Sequence, residues 1–271
     1  MDVISSVQNP KIKHVVKLVS SAKLRKEENL FVLEGLRLCM DIVRTGLTAE
    51  ELYFTQAAYE KNQAELEELM GASKAYFQVS EAVSDKLSDT TNAQGVYCVL
   101  SSVKSSCPTM SKTGKYLLLE NVQDPANLGA ISRTAEALGI TALIVSGGCD
   151  IYSPKALRAS MGALLRLPIL LTENVTDLVK NAESLGLKTY ASTPRTEATP
   201  LTKADFGGGV LVVVGNEANG VTEETLQSCQ QLVTIPMLGR AESLNAGAAA
   251  SILMWEMVKP NETTELLDLA P

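Results

Sequence analysis

The chain has 271 residues, of which 45% are hydrophobic and 20% are charged, and its formal net charge is −7. This composition is typical of a globular protein and excludes a disordered, collagen-like or coiled-coil chain, while the length predicts about two domains. No run approaches the roughly 18 consecutive apolar residues that span a membrane, and the N-terminus lacks the apolar centre of a signal peptide. We therefore expect a cytoplasmic protein with no membrane partner.

Cysteine and histidine usage limits the chemistry that the chain can perform. The five cysteines form no C-x-x-C pair, which argues against a zinc site or a redox motif and favours free, buried thiols. The only histidine, His14, lies in a lysine-rich leader, which argues against Ser/His/Asp or Cys/His catalysis and against multi-histidine metal sites. We therefore expect no bound metal.

The first predicted element is a basic helix at the N-terminus. Residues 1–26 carry six lysine and arginine side chains against one acidic side chain, whereas residues 41–70 carry two against seven. Such a leader is typical of a surface that faces a polyanion, but a solvated basic helix explains the same charges. If the surface binds RNA, we expect Lys11, Lys13 and Lys17 to contact phosphates.

Alternating apolar and helical segments follow the leader and predict a small α/β module. In chain order they are an apolar patch, a helix, a strand, an acidic helix and two strands, at Leu30–Leu33, Leu36–Val43, Leu52–Phe54, Glu60–Met70, Ala75–Val79 and Gly95–Leu100. A serine-rich segment with little apolar content comes next and predicts a linker. We therefore expect a first domain over residues 1–102, a linker over 103–114 and a second domain over 115–271.

The second domain alternates short apolar runs with segments of helical spacing. The apolar runs are Tyr116–Leu119, Ala142–Val145, Pro168–Leu171, Lys188–Ala191, Val210–Val214 and Leu232–Ile235. The helical segments are Leu128–Leu138, Pro154–Leu164, Val175–Leu185, Glu223–Gln230 and Ser243–Met257. Because the apolar runs are continuous, we expect strands that helices cover on both faces of a mostly parallel sheet. This predicts a doubly wound α/β fold with ligands at the carboxyl ends of the strands.

Three loops at these carboxyl ends contain glycine and asparagine. No G-x-G-x-x-G follows a strand and no P-loop motif occurs, which argues against an ordinary dinucleotide or P-loop site. The first loop leads into Asn127, Gly129 and Arg133, where Asn127 can simply cap a helix and Arg133 can be a solvated charge. The second loop, residues 215–220, brackets Glu217 with two glycines, which suits a backbone wrapped around a small polar ligand. A turn into the next helix explains the same residues.

The third loop runs from Ile235 to Asn245 and continues into five consecutive small residues, Ala246–Ala250. Ser243 is a natural helix N-cap, so the predicted helix begins there. The small residues let another backbone approach closely, and an alanine-rich helix selected for its propensity is the alternative.

Together, the three loops resemble the SpoU (TrmH-type) branch of the SPOUT RNA methyltransferases. The resemblance rests on N-x-G-x-x-x-R from Asn127 to Arg133, G-x-E-x-x-G from Gly215 to Gly220, and I-P-M-x-G-x-x-x-S-L-N from Ile235 to Asn245. It covers essentially the whole chain after the linker. The N-terminal region, with Asn9-Pro10-Lys11 and Phe31-Val32-Leu33-Glu34-Gly35, also resembles the small ribosomal-protein-like substrate-binding domain that precedes many of these enzymes.

The resemblance implies an α/β fold with a C-terminal trefoil knot, preceded by a small α/β RNA-binding domain, and a homodimer formed through the knotted domain. It implies an S-adenosylmethionine-dependent methyltransferase acting on a ribose 2′-hydroxyl of structured RNA, with ribosomal RNA favoured by the two-domain layout. The matching cofactor-binding positions are Thr193, Gly215, Glu217, Ile235, Met237, Ser243 and Leu244. The matching catalytic positions are Arg133, Asn127, Asn245 and Glu217, and Arg133 is also expected to contact RNA.

In this family the arginine that matches Arg133 is often proposed as a general base, but a guanidinium stays protonated in proteins. We expect Arg133 to stabilise the developing alkoxide and to anchor the adjacent phosphate. Asn127 and Asn245 are expected to orient the ribose, and Glu217 to fix Arg133 or a knot loop. Three other functions remain open: a tRNA 2′-O-methyltransferase, a non-catalytic RNA-binding or ribosome-assembly factor, and a nucleotide- or flavin-binding α/β protein.

Overall fold

The computed structural model describes most of the chain, namely residues 3–102, 110–241 and 243–259. Residues 103–109 of the predicted linker, with Cys107, lie outside the described residues, as do residues 260–271 of the predicted second domain. Within the described part, no helix is both long and apolar enough to cross a membrane.

The chain divides into two compact units. One lies within Met1–Lys104 and also includes Asp150–Arg166, and the other lies within Ser105–Cys149 and Leu167–Pro271. The predicted domains, residues 1–102 and 115–271, differ from these units in the segment Asp150–Arg166, which belongs to the first unit.

The first unit is built on a four-stranded mixed sheet. Its elements up to residue 102 are α1 (Pro10–Ser20), α2 (Ala22–Glu28), β1 (Leu30–Glu34), α3 (Leu36–Thr45), β2 (Glu51–Thr55), α4 (Gln56–Lys61), α5 (Gln63–Gly71), β3 (Tyr76–Val79), α6 (Glu81–Leu87) and β4 (Val96–Ser101). The strand order is β1-β4-β2-β3, with β2 and β3 parallel and the other pairings antiparallel. The predicted α/β module is confirmed, with α4 and α6 as additions. The predicted acidic helix Glu60–Met70 corresponds to α5 and the end of α4, which Asn62 separates.

Capping residues explain why the leader forms two helices instead of the single predicted one. The Asn9 side chain accepts a hydrogen bond from the first turn of α1, and Pro10 opens that helix with a preset backbone angle. The Ser21 side chain caps α2, so the chain turns between the two helices. The side chains that α1 buries in the core lie three residues apart on one face, and they are Ile12, Val15 and Leu18.

The second unit is built on a seven-stranded sheet. The remaining elements of the chain are β5 (Lys115–Glu120), α7 (Pro125–Ala137), β6 (Ala142–Ser146), α8 (Pro154–Ser160), α9 (Ala163–Arg166), β7 (Ile169–Leu171), α10 (Val175–Ser184), β8 (Lys188–Ser192), β9 (Thr199–Pro200), β10 (Val210–Val214), α11 (Glu223–Ser228), β11 (Gln231–Thr234) and α12 (Ala246–Val258). Its strand order is β7-β6-β5-β10-β8-β11-β9, and all these neighbouring pairs are parallel. The predicted parallel sheet is confirmed, and the short edge strand β9 is an addition to it.

The helices α8 and α9 replace one predicted helix, Pro154–Leu164. The chain leaves the helix at Met161 and Gly162, which both have a positive φ. A Cβ atom on Gly162 would lie 1.8 Å from Oδ2 of Asp41, so only glycine fits at this break. The single predicted helix is therefore wrong, because a contact with a residue far away in the sequence decides where it ends.

Residues 150–166 pack within the first unit through ionic and aromatic contacts. Tyr152 stacks on Phe31 with ring centroids 4.4 Å apart, and Nη1 of Arg166 lies 2.8 Å from Oδ1 of Asp41. We expected these residues in the second domain, but in the structure they pack with the first unit.

Arg25 is buried, although the sequence places it among the cations of a polyanion-facing leader. Its guanidinium donates to the backbone carbonyls of Leu18 and Val19, and its Nε lies 2.7 Å from Oδ2 of Asp150. A buried cation is stable only when it is paired and hydrogen-bonded, and these partners meet that requirement. Arg25 thus joins the end of α1 to Asp150 within the first unit.

Candidate functional site

The three predicted loops follow strands β5, β10 and β11 at the carboxyl edge of the parallel sheet. Strands β5 and β10 are neighbours in the sheet, so the loop that follows β10 lies beside the loop that leads from β5 into α7. All five residues of β10 are buried, which fixes the position from which its loop emerges. The fold therefore places the loops where a doubly wound sheet binds ligands.

The loop after β10 is closed by hydrogen bonds between its own residues. Asn216 and Gly220 exchange two backbone hydrogen bonds of 3.0 and 2.9 Å, and the Asn216 side chain accepts the backbone N–H groups of Ala218 and Asn219. A Cβ atom on Gly215 would lie 2.1 Å from the carbonyl carbon of Gly220, so glycine is required there. The tight closure of this loop fixes the direction of the intervening Glu217.

Glu217 anchors the loop from β10 to the start of α7. Its Oε2 accepts the backbone N–H of Gln123 at 3.0 Å, and its Oε1 accepts the backbone N–H of Asp124 at 3.1 Å and Nδ2 of Asn127 at 2.9 Å. Desolvation opposes ionisation, but the hydrogen bonds from Asn127 and from these backbone groups outweigh it and lower the pKa of Glu217. The carboxylate is thus ionised and fully engaged as an acceptor.

Asn127 and Asn245 continue this network to the third loop. Nδ2 of Asn245 donates to Oδ1 of Asn127 at 2.9 Å, and Oδ1 of Asn245 accepts the backbone N–H of Gly247 at 2.8 Å. These bonds orient both side-chain amides, because the oxygen of Asn127 accepts from Asn245 and the oxygen of Asn245 accepts from Gly247. We call Glu217, Asn127 and Asn245 the relay, since these three side chains join all three loops.

The structure selects other helix caps than the two residues that the sequence offers, Asn127 and Ser243. Asp124, not Asn127, caps α7, so the amide of Asn127 is free to join the relay. Asn245, not Ser243, caps α12, and the helix begins at Ala246. The backbone angles place Asn245 at the junction, and its amide oxygen then accepts from the first turn.

Small residues in α12 let it approach α7 closely. Gly247 is buried, and a Cβ atom there would lie 3.6 Å from Oδ1 of Asn127 and 4.0 Å from Cβ of Ala130. Gly247 of the small run Ala246–Ala250 thus lies against α7, whereas Ala248 of the same run is exposed.

Arg133 stands apart from the other predicted catalytic residues. It lies on the exposed side of α7, and within the described residues its guanidinium makes no hydrogen bond or ion pair. The expectation that Glu217 fixes Arg133 is not met, because the oxygens of Glu217 bind Gln123, Asp124 and Asn127. Glu217 holds a loop instead, which was the other expected role.

A cavity of about 400 Å³ opens beside the relay. Every residue predicted to bind the cofactor lies on its wall: Thr193, Gly215, Glu217, Ile235, Met237, Ser243 and Leu244. Apolar side chains from α11, β11 and α12 complete part of the wall and include Leu226, Val233 and Leu253. The sequence analysis missed Arg195, which also lines the cavity and could have been found from its position two residues after Thr193.

Glu120 is a second residue that the sequence analysis missed. It is buried at the end of β5, where Oε1 accepts the hydroxyls of Thr222 and Thr225 at 2.8 and 2.6 Å, and Oε2 accepts the backbone N–H of Thr222 at 2.8 Å. It therefore fixes the start of α11, directly after the loop that carries Glu217. The sequence signal that could have identified Glu120 is its position as a carboxylate at the end of an apolar strand.

In the first unit, the predicted RNA-contacting lysines differ in their surroundings. Nζ of Lys11 lies 2.9 Å from Oε1 of Glu51 and 4.8 Å from the centre of the Phe77 ring. Lys13 and Lys17 are exposed and have no partner among the described residues. The charge of Lys11 is thus already compensated, whereas Lys13 and Lys17 present free cations.

The described residues contain no cluster of histidine, cysteine and carboxylate side chains that could hold a metal. His14 pairs with Glu28 at 2.6 Å. The described cysteines, Cys39, Cys98, Cys149 and Cys229, form no disulfide with one another, and Cys39 and Cys98 are buried.

Two family models match the chain. The SpoU rRNA Methylase family matches residues 114–255, and the MRM3-like substrate binding domain matches residues 9–98. An uncharacterized tRNA/rRNA methyltransferase of Synechocystis is 33% identical over 256 residues, which are 93% of this chain and 92% of that protein. The 23S rRNA (guanosine(2553)-2′-O)-methyltransferase RlmP of Bacillus subtilis is 28% identical over 95% of this chain and 99% of its own length.

A solved structure is similar to this chain along most of its length. The AdoMet-bound rRNA methyltransferase from Sinorhizobium meliloti superposes with a TM-score of 0.85 at 27% identity, covering 94% of this chain and 97% of that one. The family model matches just over half of the chain and spans the three loops, and a relative is 33% identical along almost the whole chain. This chain belongs to the SpoU rRNA methylase family.

Proposed function

We propose that this protein is an S-adenosylmethionine-dependent methyltransferase that methylates a ribose 2′-hydroxyl of ribosomal RNA in the cytoplasm. The observation that carries the proposal is the cavity that opens beside the relay, with all predicted cofactor-binding positions on its wall. The similarity to RlmP, a 23S rRNA guanosine 2′-O-methyltransferase, supports both the reaction and the substrate class.

The cavity fits S-adenosylmethionine in size and chemistry. Its volume of about 400 Å³ is within the range of pockets that enclose small ligands. The apolar wall that includes Ile235, Met237 and Leu244 suits a flat adenine ring, and the loop at Gly215 brings backbone groups close to the ligand space. When bound, S-adenosylmethionine supplies a methyl group on a positively charged sulfur.

The relay positions the acceptor and does not remove its proton. Both oxygens of Glu217 accept hydrogen bonds, and its lowered pKa keeps it ionised, so it serves as an anchor. Asn127 and Asn245 are held in fixed orientations at the edge of the three loops, where they orient the ribose. Such preorganisation alone can contribute several kcal/mol to catalysis, because it removes the entropic cost of alignment.

Arg133 supplies the positive charge at the acceptor. An arginine stays protonated in proteins, so Arg133 would stabilise the developing alkoxide and bind the neighbouring phosphate, while the hydroxyl proton would pass to solvent water as the methyl group is transferred. Its lack of a partner within the described residues supports a role in binding something outside the chain. Arg133→Ala is expected to abolish methyl transfer and to leave cofactor binding largely intact. Near-normal turnover would contradict this role.

The active form is a homodimer through the second domain, which is threaded as a trefoil knot in our proposal. Supporting the dimer, α12 exposes two large apolar side chains, Ile252 at 39% and Trp255 at 53%. Sedimentation equilibrium of the wild type and of Trp255→Glu tests it, since the variant is expected to dissociate. A wild-type protein that is monomeric at micromolar concentration would refute the dimer.

Lys13 and Lys17 bind RNA phosphates in this proposal. Their double alanine variant is expected to lower the slope of log affinity against log salt by about 1 to 2, because each phosphate contact releases about one counterion. Lys11→Ala is the matched control, since Glu51 already pairs with that lysine, and its slope should stay near the wild-type value. Equal slopes in all three proteins would show that the leader is only solvated.

The test of the whole proposal is the transfer of a labelled methyl group to purified RNA, followed by mapping of 2′-O-methyl positions with and without the protein. A single methylated ribose in ribosomal RNA is expected. Methylation of tRNA alone would favour the tRNA enzyme, and binding of RNA without binding of S-adenosylmethionine would favour a non-catalytic ribosome-assembly factor.

A further inference from the structure

The wall of the cavity carries a cation that the proposed reaction does not use. Among the described lining residues, only Arg195 and Glu217 have charged side chains. Glu217 is occupied by its three hydrogen bonds and would repel an anion. Arg195 is paired with Glu223, but it is the charged side chain on this wall whose N–H donors can bind an anionic group of a ligand.

The guanidinium of Arg195 has donors to spare. One Nη2–H group donates to Oε2 of Glu223 on α11, which does not line the cavity. A guanidinium carries five N–H donors in a planar fork, and within the described residues Nε and Nη1 make no hydrogen bond. The backbone N–H of Arg195 also donates to Oγ1 of Thr193 at 3.4 Å, which ties its loop to the cavity wall.

The cavity wall is chemically divided, and this division orients a ligand. Leu226, Val233 and Leu253 provide an apolar region, whereas Thr193 and Arg195 form a polar one after β8. S-adenosylmethionine has a matching division, because an adenine ring is at one end and an amino acid with a carboxylate is at the other. Arginine pairs with carboxylates through two parallel hydrogen bonds, which add specificity as well as affinity.

We propose that Arg195 binds the carboxylate at the amino-acid end of the nucleoside ligand, while Glu223 holds the guanidinium from the opposite side. This inference rests on the proposed function, because it requires that the cavity binds S-adenosylmethionine. It assigns Arg195 to the ligand's carboxylate, for which none of the predicted cofactor-binding residues offers a positive charge.

Two thioether nucleosides separate this assignment from the general shape of the cavity. S-adenosylhomocysteine has the amino-acid end, and 5′-methylthioadenosine lacks it but keeps the adenosine and the sulfur. By titration calorimetry, Arg195→Ala is expected to raise the Kd of S-adenosylhomocysteine about tenfold, the effect of losing one charged hydrogen-bonded pair. The Kd of 5′-methylthioadenosine is expected to stay unchanged.

Two further variants serve as controls. Arg195→Lys keeps the charge but not the planar fork, so its effect on S-adenosylhomocysteine should be intermediate. Lys203→Ala removes an exposed cation of the same unit that does not line the cavity, and it should change neither Kd.

Three results would decide against the assignment. An unchanged Kd of S-adenosylhomocysteine in Arg195→Ala would overturn it, and so would an equal loss of affinity for both nucleosides, which would indicate a structural role. If the wild-type protein binds neither nucleoside, the proposed function itself fails, and the inference fails with it.

Discussion

Replacement of Asn245 separates its two structural roles. Its amide oxygen caps α12, and its amide nitrogen donates to Oδ1 of Asn127, which is only 8% exposed. Asn245→Ala removes both interactions, at about 1 kcal/mol for the cap and about 1 kcal/mol for the hydrogen bond to a buried acceptor. Asn245→Ser keeps an oxygen that can cap the helix but cannot reach Asn127. We therefore expect losses of about 2 and about 1 kcal/mol in the free energy of unfolding.

Urea unfolding followed by tryptophan fluorescence measures these losses. The only tryptophan, Trp255, lies on α12 itself, so its signal reports unfolding of the unit that contains the relay. A double-mutant cycle with Asn127→Ala then isolates the bond between the two amides, and we expect a coupling free energy of about 1 kcal/mol.

Two results would refute the reasoning about the relay. If Asn245→Ser and Asn245→Ala lower the free energy of unfolding equally, the cap contributes nothing. If the coupling with Asn127 is within about 0.3 kcal/mol of zero, the two amides do not interact and the relay does not exist in solution.

Three other changes probe the loops. Gly215→Ala places a Cβ atom 2.1 Å from the carbonyl carbon of Gly220, so we expect a loss of at least about 2 kcal/mol in urea unfolding, together with lost cofactor binding. Because its pKa is lowered on folding, Glu217 stabilises the protein above its ordinary value of 4.5, and this contribution disappears as the pH falls below it. The stability difference between wild type and Glu217→Gln should therefore shrink from pH 7 to pH 3.5, and a constant difference would contradict the shift. Leu244→Arg should weaken S-adenosylmethionine binding at least about tenfold by calorimetry, since it brings a charge and bulk into the cavity.

The parallel sheet was predictable because the information for it is local. Continuous apolar runs such as Val210–Val214 can only be buried on both faces, and the structure has a strand with these same bounds. The helix that begins after Thr222 was equally predictable, since Thr222 caps α11 through its side chain. The three loops were found for the same reason, because each follows directly on such a strand.

The relay was only partly predictable. The resemblance assigns Asn127, Asn245 and Glu217 to one site, but the order of their hydrogen bonds depends on which residues cap α7 and α12. A residue caps a helix only if its backbone angles place it at the helix start, and Asp124 and Asn245 have such angles. A sequence shows which residues are able to cap a helix, whereas the folded chain selects one of them.

Length, composition and apolar periodicity by themselves predicted an α/β fold with a parallel sheet, two domains, and three loops that follow strands of that sheet, because each of these depends on residues that are near one another in the chain. Tertiary structure alone decided that Arg25 is buried against Asp150, that Lys11 is paired with Glu51 and that residues 150–166 pack with the first unit. Each of these contacts joins residues 40 or more positions apart, and its energy depends on burial and on distances that exist only after the sheets have formed.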